Sequence, residues 1–413
     1  MKFIFNQKKL LISLFVLSVL VSLTFLLVLG KMGPSQHQEP ATDYRNCYKP
    51  FARSLLQGEL VYISQFSDIC SPPGYPIFLA IALVLSDFLN VNELTLVVIF
   101  NVLLTAGSVI FLFLIAQTLF NRKIALLSSF LWISYPFSLW FLKNPNTEAP
   151  FIFFLFLAIW LYLISLKEKR LNFIFASGFI LGLSILVRPY AFLLPLLLAL
   201  MVFFLIKDVK KTKFFLAAVL LAGALIPISI WEIMVFNKTN QLIFLASSGA
   251  PSLADGLTFA LKSGAGGDKI IVSPDVLSLM ERAKELKLNS LARIFQFSVY
   301  ELINNPSAFL ELILLKLGRS WYATSQMWWE GKILIVQLFY LLPALFGAIF
   351  AFLKLKEKLG WIIFVLVVIF YFWLIALSAL SILRYMVPAM PLVIIFSAIA
   401  INFIFKKCLG KLS

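Results

Sequence analysis

The sequence has little of the side-chain chemistry that many metal and nucleotide sites require. It contains one histidine, His37, and three cysteines in 413 residues. A metal site built from several histidines is therefore excluded, and no Cys/His spacing typical of zinc occurs. The sequence also lacks a Walker lysine loop and a glycine-rich dinucleotide fingerprint, the motifs of two large nucleotide-binding classes.

Charge is scarce as well. Only 13% of the residues are charged, whereas 62% are hydrophobic and the mean hydropathy is +0.98. This composition is typical of a membrane protein. The net charge of +16 does not indicate nucleic-acid binding, because the lysines and arginines fall in short clusters between apolar runs. Membrane lipids are therefore the expected partners, and nucleic acid is not.

Apolar runs of about 20 residues predict transmembrane helices. We predict ten of them, at residues 10–29, 94–120, 124–142, 148–166, 171–187, 189–206, 214–235, 332–353, 360–380 and 386–405. The first run is too long for the apolar core of a signal peptide and is predicted to be retained. The short basic clusters then fall on one side, which the positive-inside rule makes cytoplasmic, with both termini there. The sequence thus predicts an all-α, multi-pass protein of the inner (plasma) membrane.

This topology requires that Gly74–Leu89 does not span the membrane. If it did, five of the later basic clusters would face outward. A helix of this length rises about 24 Å, short of the roughly 30 Å hydrocarbon core. We therefore predict a re-entrant or interfacial helix on the outer side.

Most of the polar sequence lies in two extracytoplasmic regions. We predict a first outer loop at 31–93 within an N-terminal catalytic membrane module at 1–236, an extracytoplasmic helical region at 237–330, and C-terminal membrane helices at 331–413. Residues 247–268 are rich in glycine and serine and are predicted to be mobile.

Three amphipathic helices are predicted in the second outer region. The first begins at Pro274 with Ser273 as its N-cap, and the second covers Ser290–Asn304. The third carries Lys316 and Arg319 just before a cluster of tryptophan and tyrosine residues. Basic residues beside aromatics are typical of the membrane interface, so we place the third helix in the interface plane.

The first outer loop holds a carboxylate, Asp43, ahead of a short helix. The spacing of Tyr48, Ala52 and Leu55 puts apolar groups on one face, so the helix is expected to lie along the membrane. An acid at this position can simply be an N-cap. On spacing alone, that interpretation is favoured over a catalytic role.

Three further charged residues, Glu148, Arg188 and Arg384, lie at predicted outer helix ends. Ionisable groups at such depths are costly and tend to be functional. Glu148 can also be a first-turn acid favoured by the helix dipole. The arginines can extend to lipid headgroups, or they can bind phosphate through their planar forks. The residues leave these alternatives open.

Two of the three cysteines, Cys47 and Cys70, fall in the first outer loop, while Cys408 is on the cytoplasmic side. In an oxidising compartment the first two could form a disulfide. Separate thiols are the default expectation.

Together these motifs resemble the GT-C superfamily of membrane glycosyltransferases, and most closely its branch of protein mannosyltransferases and aminoarabinose transferases. The resemblance covers residues 1–206 and 332–405 and rests on motifs that follow in the same order. They are Asp43 with Tyr48, Ala52, Leu55 and Gly58; the run Pro72–Pro76, which includes Tyr75; the basic turn Phe120–Lys123; Glu148; Arg188 with Pro189; and Arg384 with Tyr385, Pro388 and Pro391.

The resemblance implies an inverting glycosyltransferase that takes its sugar from a polyprenyl phosphate on the extracytoplasmic face. It implies Asp43 as the principal catalytic carboxylate, which accepts or orients the proton of the attacking acceptor hydroxyl. Glu148 would be the second acid and would position the acceptor or a divalent cation. Two acids are too few ligands to assert a metal, so the cofactor stays open.

The same resemblance implies a binding site for the leaving phosphate. Arg188, Arg384 and Tyr385 would stabilise its charge, and Tyr48 and Tyr75 would be further substrate-binding residues. The acceptor, which can be a glycan, a lipid or a protein, is not indicated.

Two other functions compete with this one. A transporter or flippase of a lipid-linked or amphiphilic substrate would call for inverted repeats and mid-membrane charges, and neither is evident. A non-catalytic scaffold would not need both Asp43 and Glu148.

Within the family, Tyr44 after the acid and Ser71 before the prolines depart from the aminoarabinose enzymes, which leaves the sugar open.

Overall fold

The computed structural model describes residues 2–32, 43–64, 69–261 and 270–409. These ranges are helical and contain no β-strand, so the predicted all-α fold is confirmed. His37 lies outside the described residues. The predicted domain boundaries after residues 236 and 330 stay predictions.

The helices of the described ranges are named here in chain order. They are α1 (Lys2–Met32), α2 (Lys49–Leu56), α3 (Gly74–Leu89), α4 (Glu93–Leu119), α5 (Arg122–Ile133), α6 (Pro136–Trp140), α7 (Glu148–Glu168), α8 (Leu171–Val187), α9 (Leu194–Leu205), α10 (Lys210–Thr239), α11 (Gly249–Leu257), α12 (Pro274–Glu285), α13 (Leu291–Asn304), α14 (Pro306–Arg319), α15 (Glu330–Lys354), α16 (Leu359–Ser378), α17 (Leu383–Met386) and α18 (Met390–Leu409). A π-helical turn, Tyr44–Tyr48, leads directly into α2.

Six helices of the described ranges are long and apolar enough to cross a membrane: α1, α4, α7, α10, α15 and α16. The predicted span at 124–142 is instead a pair, α5 and α6, bent by 43°. The bend has a local cause, because Pro136 cannot donate a helical hydrogen bond and holds Tyr135 in extended backbone.

Three predicted spans form shorter apolar helices, α8, α9 and α18. The predicted span at 189–206 matches the apolar segment Pro189–Leu205, which begins with a 3₁₀ turn at Pro189–Ala191. The helix that follows, α9, has only 12 residues, a rise of about 18 Å.

Helix α3 has the bounds that were predicted for the re-entrant helix. Its start packs against the end of α8 at very short range. A Cβ atom on Gly74 would lie 2.6 Å from the carbonyl carbon of Leu186, so only glycine permits this approach. The contact places Tyr75 beside the segment that leads into Arg188. How α3 sits in the bilayer stays a prediction.

Helix α8 is held between α7 and α10 by small residues. A Cβ atom on Gly178 would lie 2.1 Å from the carbonyl oxygen of Leu220 on α10. On the other side, Ser177 Oγ donates to the carbonyl oxygen of Ala158 on α7 at 2.8 Å. Small residues allow such close backbone contact between membrane helices. The packing fixes the start of α7 and the end of α8 relative to one another.

The second outer region, α11–α14, has its own apolar cluster, which includes Val276, Met280 and Leu312. The predicted N-cap is confirmed, because Ser273 Oγ accepts a hydrogen bond from the backbone N–H of Val276 at 3.3 Å. Helices α11 and α14 also contact α16, so the region packs as a helical unit against the membrane helices.

Two features of this region were not predicted. The segment predicted as mobile contains α11, although its later part, 262–269, lies outside the described residues. The basic residues of α14 turn inward: Lys316 Nζ donates to the carbonyl oxygen of Gly256 at 2.9 Å, and Arg319 pairs with Glu330 at 2.7 Å. The placement of α14 in the interface plane stays a prediction.

Candidate active site

Glu148 is the centre of a charged cluster at the helix ends that were predicted to face outward. It is the first residue of α7 and is only 1% exposed. Asn146 fixes the turn before it, since its Oδ1 accepts the backbone N–H of Glu148 at 3.2 Å. The helix N-terminus favours a negative charge here, but a buried carboxylate also needs a direct counter-charge.

Arg188 supplies the first counter-charge. It follows α8 in extended backbone, as expected for a residue before proline, and its Nη1 donates to Glu148 Oε1. The guanidinium lies 4.6 Å from the ring centre of Tyr190 and 5.6 Å from that of Tyr385. Burial alone would lower the pKa of Arg188, but the charge of Glu148 outweighs it and raises that pKa. Arg188 is therefore a buried, permanently charged group.

Arg384 supplies the second counter-charge. It lies on α17, and its fork contacts both oxygens of Glu148, Nε with Oε1 and Nη2 with Oε2, the latter at 3.2 Å. Burial would again lower its pKa, but the charge and hydrogen bonds of Glu148 raise it. About 32% of the Arg384 side chain remains exposed, against 10% for Arg188. Arg384 is thus the arginine of this pair that is more open to a ligand.

The predicted tyrosines lie around this cluster. Tyr48 and Tyr75 form a T-shaped pair with ring centres 4.9 Å apart. Burial, together with the charge of Asp43, raises the pKa of Tyr48 to about 12, and Arg384 and Arg188 act on it in the opposite direction. Among the described side chains, the hydroxyls of Tyr75 and Tyr190 are buried without a hydrogen-bond partner.

Asp43 lies at the edge of the site. Its side chain is exposed and makes no capping hydrogen bond to the π-helical turn that it precedes. The N-cap interpretation favoured by the spacing is therefore wrong. Its charge acts on both Arg384 and Tyr48, whose pKa values it raises. The structure thus brings Glu148, Arg188 and Arg384 into direct contact and leaves Asp43 within electrostatic range of them.

A disulfide joins Cys47 to Cys70, with the two Cα atoms 6.0 Å apart. The expectation of separate thiols was wrong. The bond links the turn that carries Tyr48 to the segment that leads into Tyr75, so it ties together two parts of the first outer loop that border the site.

Sequence reasoning missed two residues of this neighbourhood. Tyr190 stacks against the Arg188 guanidinium and lies two residues after it, so the Arg188–Tyr190 motif already contained the signal. Glu93, which contacts the helix that follows Asp43, gave no signal beyond a first-turn acid on α4.

The side chains of this site do not suit a divalent cation as metal ligands. Both oxygens of Glu148 are engaged by arginines, whose positive charges would repel a metal ion. Within the described residues no three His, Cys, Asp or Glu side chains are grouped as metal ligands. A cavity of about 10 Å³ adjoins Glu148, Ser108 and Trp132, which is room for about one water molecule.

Comparison with known proteins bears on this site. Residues 71–231 match the sequence model of a family described as dolichyl-phosphate-mannose-protein mannosyltransferase. Glu148 and Arg188 lie inside the matched stretch, and Asp43 and Arg384 lie outside it. YkcB of Bacillus subtilis (strain 168), provisionally named a mannosyltransferase, is 26% identical over 156 residues, which is 36% of this chain and 21% of YkcB.

The fold is similar to solved structures of an oligosaccharyltransferase from Archaeoglobus fulgidus. AglB in complex with an inhibitory peptide and a dolichol-phosphate aligns with a TM-score of 0.56 at 13% identity, over 97% of this chain and 51% of AglB. The same organism's enzyme in complex with Zn and sulfate aligns with a TM-score of 0.52 at 14% identity, over 96% and 49%.

The predicted resemblance to the GT-C superfamily is thereby confirmed, and the fold is all-α and similar to that of AglB. The descriptions of the matched family and of YkcB both name mannosyl transfer. The chain spans about half the length of the aligned AglB chain and about a fifth of YkcB.

Proposed function

We propose that this protein transfers a sugar from a polyprenyl-phosphate donor to a hydroxyl of an acceptor, on the extracytoplasmic side and with inversion at the anomeric carbon. The description of the matched family names a dolichyl-phosphate mannose, and the AglB structure holds a dolichol-phosphate. Mannose is therefore the sugar to test first.

The observation that carries the proposal is that Arg188 and Arg384 both form ion pairs with Glu148. Two positive charges against one negative charge leave the cluster with a net charge of +1, and Arg384 is the member that is open on one side. A phosphate ester leaving group needs charge stabilisation rather than protonation, and a preorganised arginine supplies it without reorganisation. We assign the phosphate of the donor to Arg384.

The role proposed for Glu148 follows from its contacts. Since both of its oxygens accept from arginines, it is not available to orient an acceptor hydroxyl or to ligate a cation. We infer that Glu148 positions the two arginines and keeps their forks from turning to solvent. It acts through them and is a positioning residue.

Asp43 is the proposed general base. The acceptor oxygen attacks the anomeric carbon, the bond from that carbon to the phosphate oxygen breaks, and polyprenyl phosphate leaves with the bonding electrons. The acceptor proton passes to the Asp43 carboxylate. An exposed carboxylate close to Arg384 fits this role, because it can reach an acceptor that approaches from the outer side.

The aromatic residues are proposed to form the wall of the donor site. The rings of Tyr48 and Tyr75 are packed against each other, and Tyr385 lies near Arg188. Their rings would exclude water from the leaving phosphate, which strengthens its interaction with the arginines. The second outer region, α11–α14, is the proposed source of acceptor specificity, and both termini are proposed to be cytoplasmic.

Asp43→Asn tests the function. Membranes that contain the variant should incorporate labelled mannose from polyprenyl-phosphate mannose into endogenous acceptors at a rate lower by about 10²–10⁴-fold. The matched control is Asp87→Asn, another exposed acid of the first outer loop, which should leave the rate unchanged.

Undiminished transfer by Asp43→Asn at normal membrane levels would overturn the assignment of the base. A transporter would give another result with the wild type: the lipid-linked sugar would cross the membrane of a vesicle without forming a new glycosidic bond.

A further inference from the structure

Glu93, the first residue of α4, joins that helix to the segment that begins with Asp43. Its Oε1 accepts a hydrogen bond from the Tyr44 hydroxyl at 3.0 Å and pairs with the Lys49 ammonium. Tyr44 is 3% exposed, and the Lys49 ammonium lies 5.9 Å from its ring centre. One carboxylate therefore holds two side chains that are five residues apart on consecutive turns.

Glu93 itself is held in place by its helix. Glu93 opens a 27-residue helix whose N-cap, Asn92, accepts the backbone N–H of Leu94 at 2.9 Å. The helix dipole favours a carboxylate in this first turn. The side chains of Glu93 and Lys49 are only 22% and 25% exposed, so the pair is less accessible to water and salt than a typical surface pair.

The same turn is held on other sides as well. The disulfide at Cys47 ties it to Cys70, and the Tyr48 ring packs against Tyr75. Asp43 immediately precedes this clamped turn and has no capping contact of its own. Its position relative to Arg384 therefore depends on what holds Tyr44.

We propose that Glu93 is a positioning residue that sets the place of Asp43 through Tyr44 and Lys49. The inference rests on the function proposed above. Glu93 makes no contact with the donor or the acceptor in this scheme; it holds the base at the distance from which it can reach the acceptor hydroxyl. Displacement of a catalytic group by about 1 Å can cost about 10²-fold in rate.

The test is a kinetic series with polyprenyl-phosphate mannose as donor. Glu93→Gln keeps an acceptor oxygen for Tyr44 but loses the charge, and Glu93→Ala loses both contacts. We expect kcat to fall in the order wild type, Glu93→Gln, Glu93→Ala, by about 10- to 100-fold for the alanine variant. The KM for the donor should change less than about twofold, because the arginine site is untouched.

Tyr44→Phe removes only the hydroxyl donor and is the second variant of the kinetic test. If the hydroxyl acts through Glu93, the double variant Tyr44→Phe/Glu93→Ala should be no slower than Glu93→Ala. A role in stability alone would lower the melting temperature and leave kcat of the folded fraction unchanged. The matched control is Asp87→Ala, which should behave as the wild type.

The outcomes separate this inference from the proposed function. If the wild type transfers mannose and Asp43→Asn does not, a wild-type kcat for Glu93→Ala, or a KM effect alone, overturns the positioning role. If Glu93→Ala does not reach the membrane, wild-type kcat values for both Glu93→Gln and Tyr44→Phe overturn it. If Asp43→Asn is fully active, it is the proposed function that fails.

Discussion

Glu148 and Arg384 lie 236 positions apart in the sequence, and they form a two-point ion pair between the start of α7 and the short helix α17. Arg188 completes the cluster from the end of α8. Three helix ends that are remote in the chain are thus joined by one buried carboxylate. The proposed phosphate site is a product of this convergence.

Arg384→Lys should impair the use of the donor. Lysine keeps the charge but cannot contact both oxygens of Glu148 and a phosphate through a planar fork. We expect kcat/KM for polyprenyl-phosphate mannose to fall by about 10²-fold. The control, Arg293→Lys, changes an exposed arginine of α13 and should have no effect. An unchanged kcat/KM for Arg384→Lys would argue that the phosphate binds elsewhere.

Glu148→Gln should destabilise the protein. Removal of the carboxylate leaves the two arginines close together without their counter-charge, and breaking a buried ion pair costs about 3–5 kcal/mol. The melting temperature in detergent should fall clearly. Glu168→Gln changes an acid at the opposite end of the same helix, 47% exposed and paired with Arg170, and should shift the melting temperature little. Equal melting temperatures for the two variants would contradict the proposed positioning role of Glu148.

Loss of the Cys47–Cys70 disulfide should loosen the first outer loop. The bond joins residues separated by 23 positions, and a link of this size stabilises by about 3 kcal/mol. Cys47→Ser/Cys70→Ser should lower both the melting temperature and the transfer rate, and dithiothreitol should do the same to the wild type. Cys408→Ser is the control. Full activity of the doubly substituted variant would show that the site does not depend on this link.

Lys316→Met should stabilise the protein in a pH-dependent way. Burial lowers the pKa of Lys316 from 10.5 to about 7. Above about pH 10.5 the lysine is neutral in both states and carries no penalty. As the pH falls towards 7, the unfolded chain gains a proton that the folded protein does not, so the wild type loses stability; below about pH 7 the penalty is complete.

The advantage of Lys316→Met should therefore be largest near pH 6 and should shrink as the pH rises to 10. Each unit by which the pKa of Lys316 is lowered adds about 1.4 kcal/mol to the stability gained by Lys316→Met at low pH. The lost hydrogen bond to Gly256 reduces the total gain by about 1 kcal/mol. Melting curves at several pH values measure this difference. Lys284→Met, an exposed lysine of α12, is the control, and an advantage independent of pH would contradict the prediction.

Much of the architecture could be predicted because it follows from local sequence patterns. Apolar runs predicted the long helices, and a single serine before a proline predicted the start of α12. One failure had a local cause and the other did not. Pro136 divides a predicted span, and the inward turn of Lys316 and Arg319 could not be foreseen, because their partners Gly256 and Glu330 come from other elements.

By itself the sequence determined that this is a helical membrane protein and indicated its resemblance to the GT-C superfamily, and it predicted which charged residues lie at outer helix ends. Hydropathy and the distribution of lysine and arginine are properties of the chain read in order, so they need no knowledge of contacts. Only the tertiary structure decided how those residues pair. It paired Glu148 with two arginines, joined Cys47 to Cys70 in a disulfide and brought Glu93 within hydrogen-bond distance of the Tyr44 hydroxyl. These pairings depend on how helices pack against one another, and no local pattern encodes the distance between two helix ends.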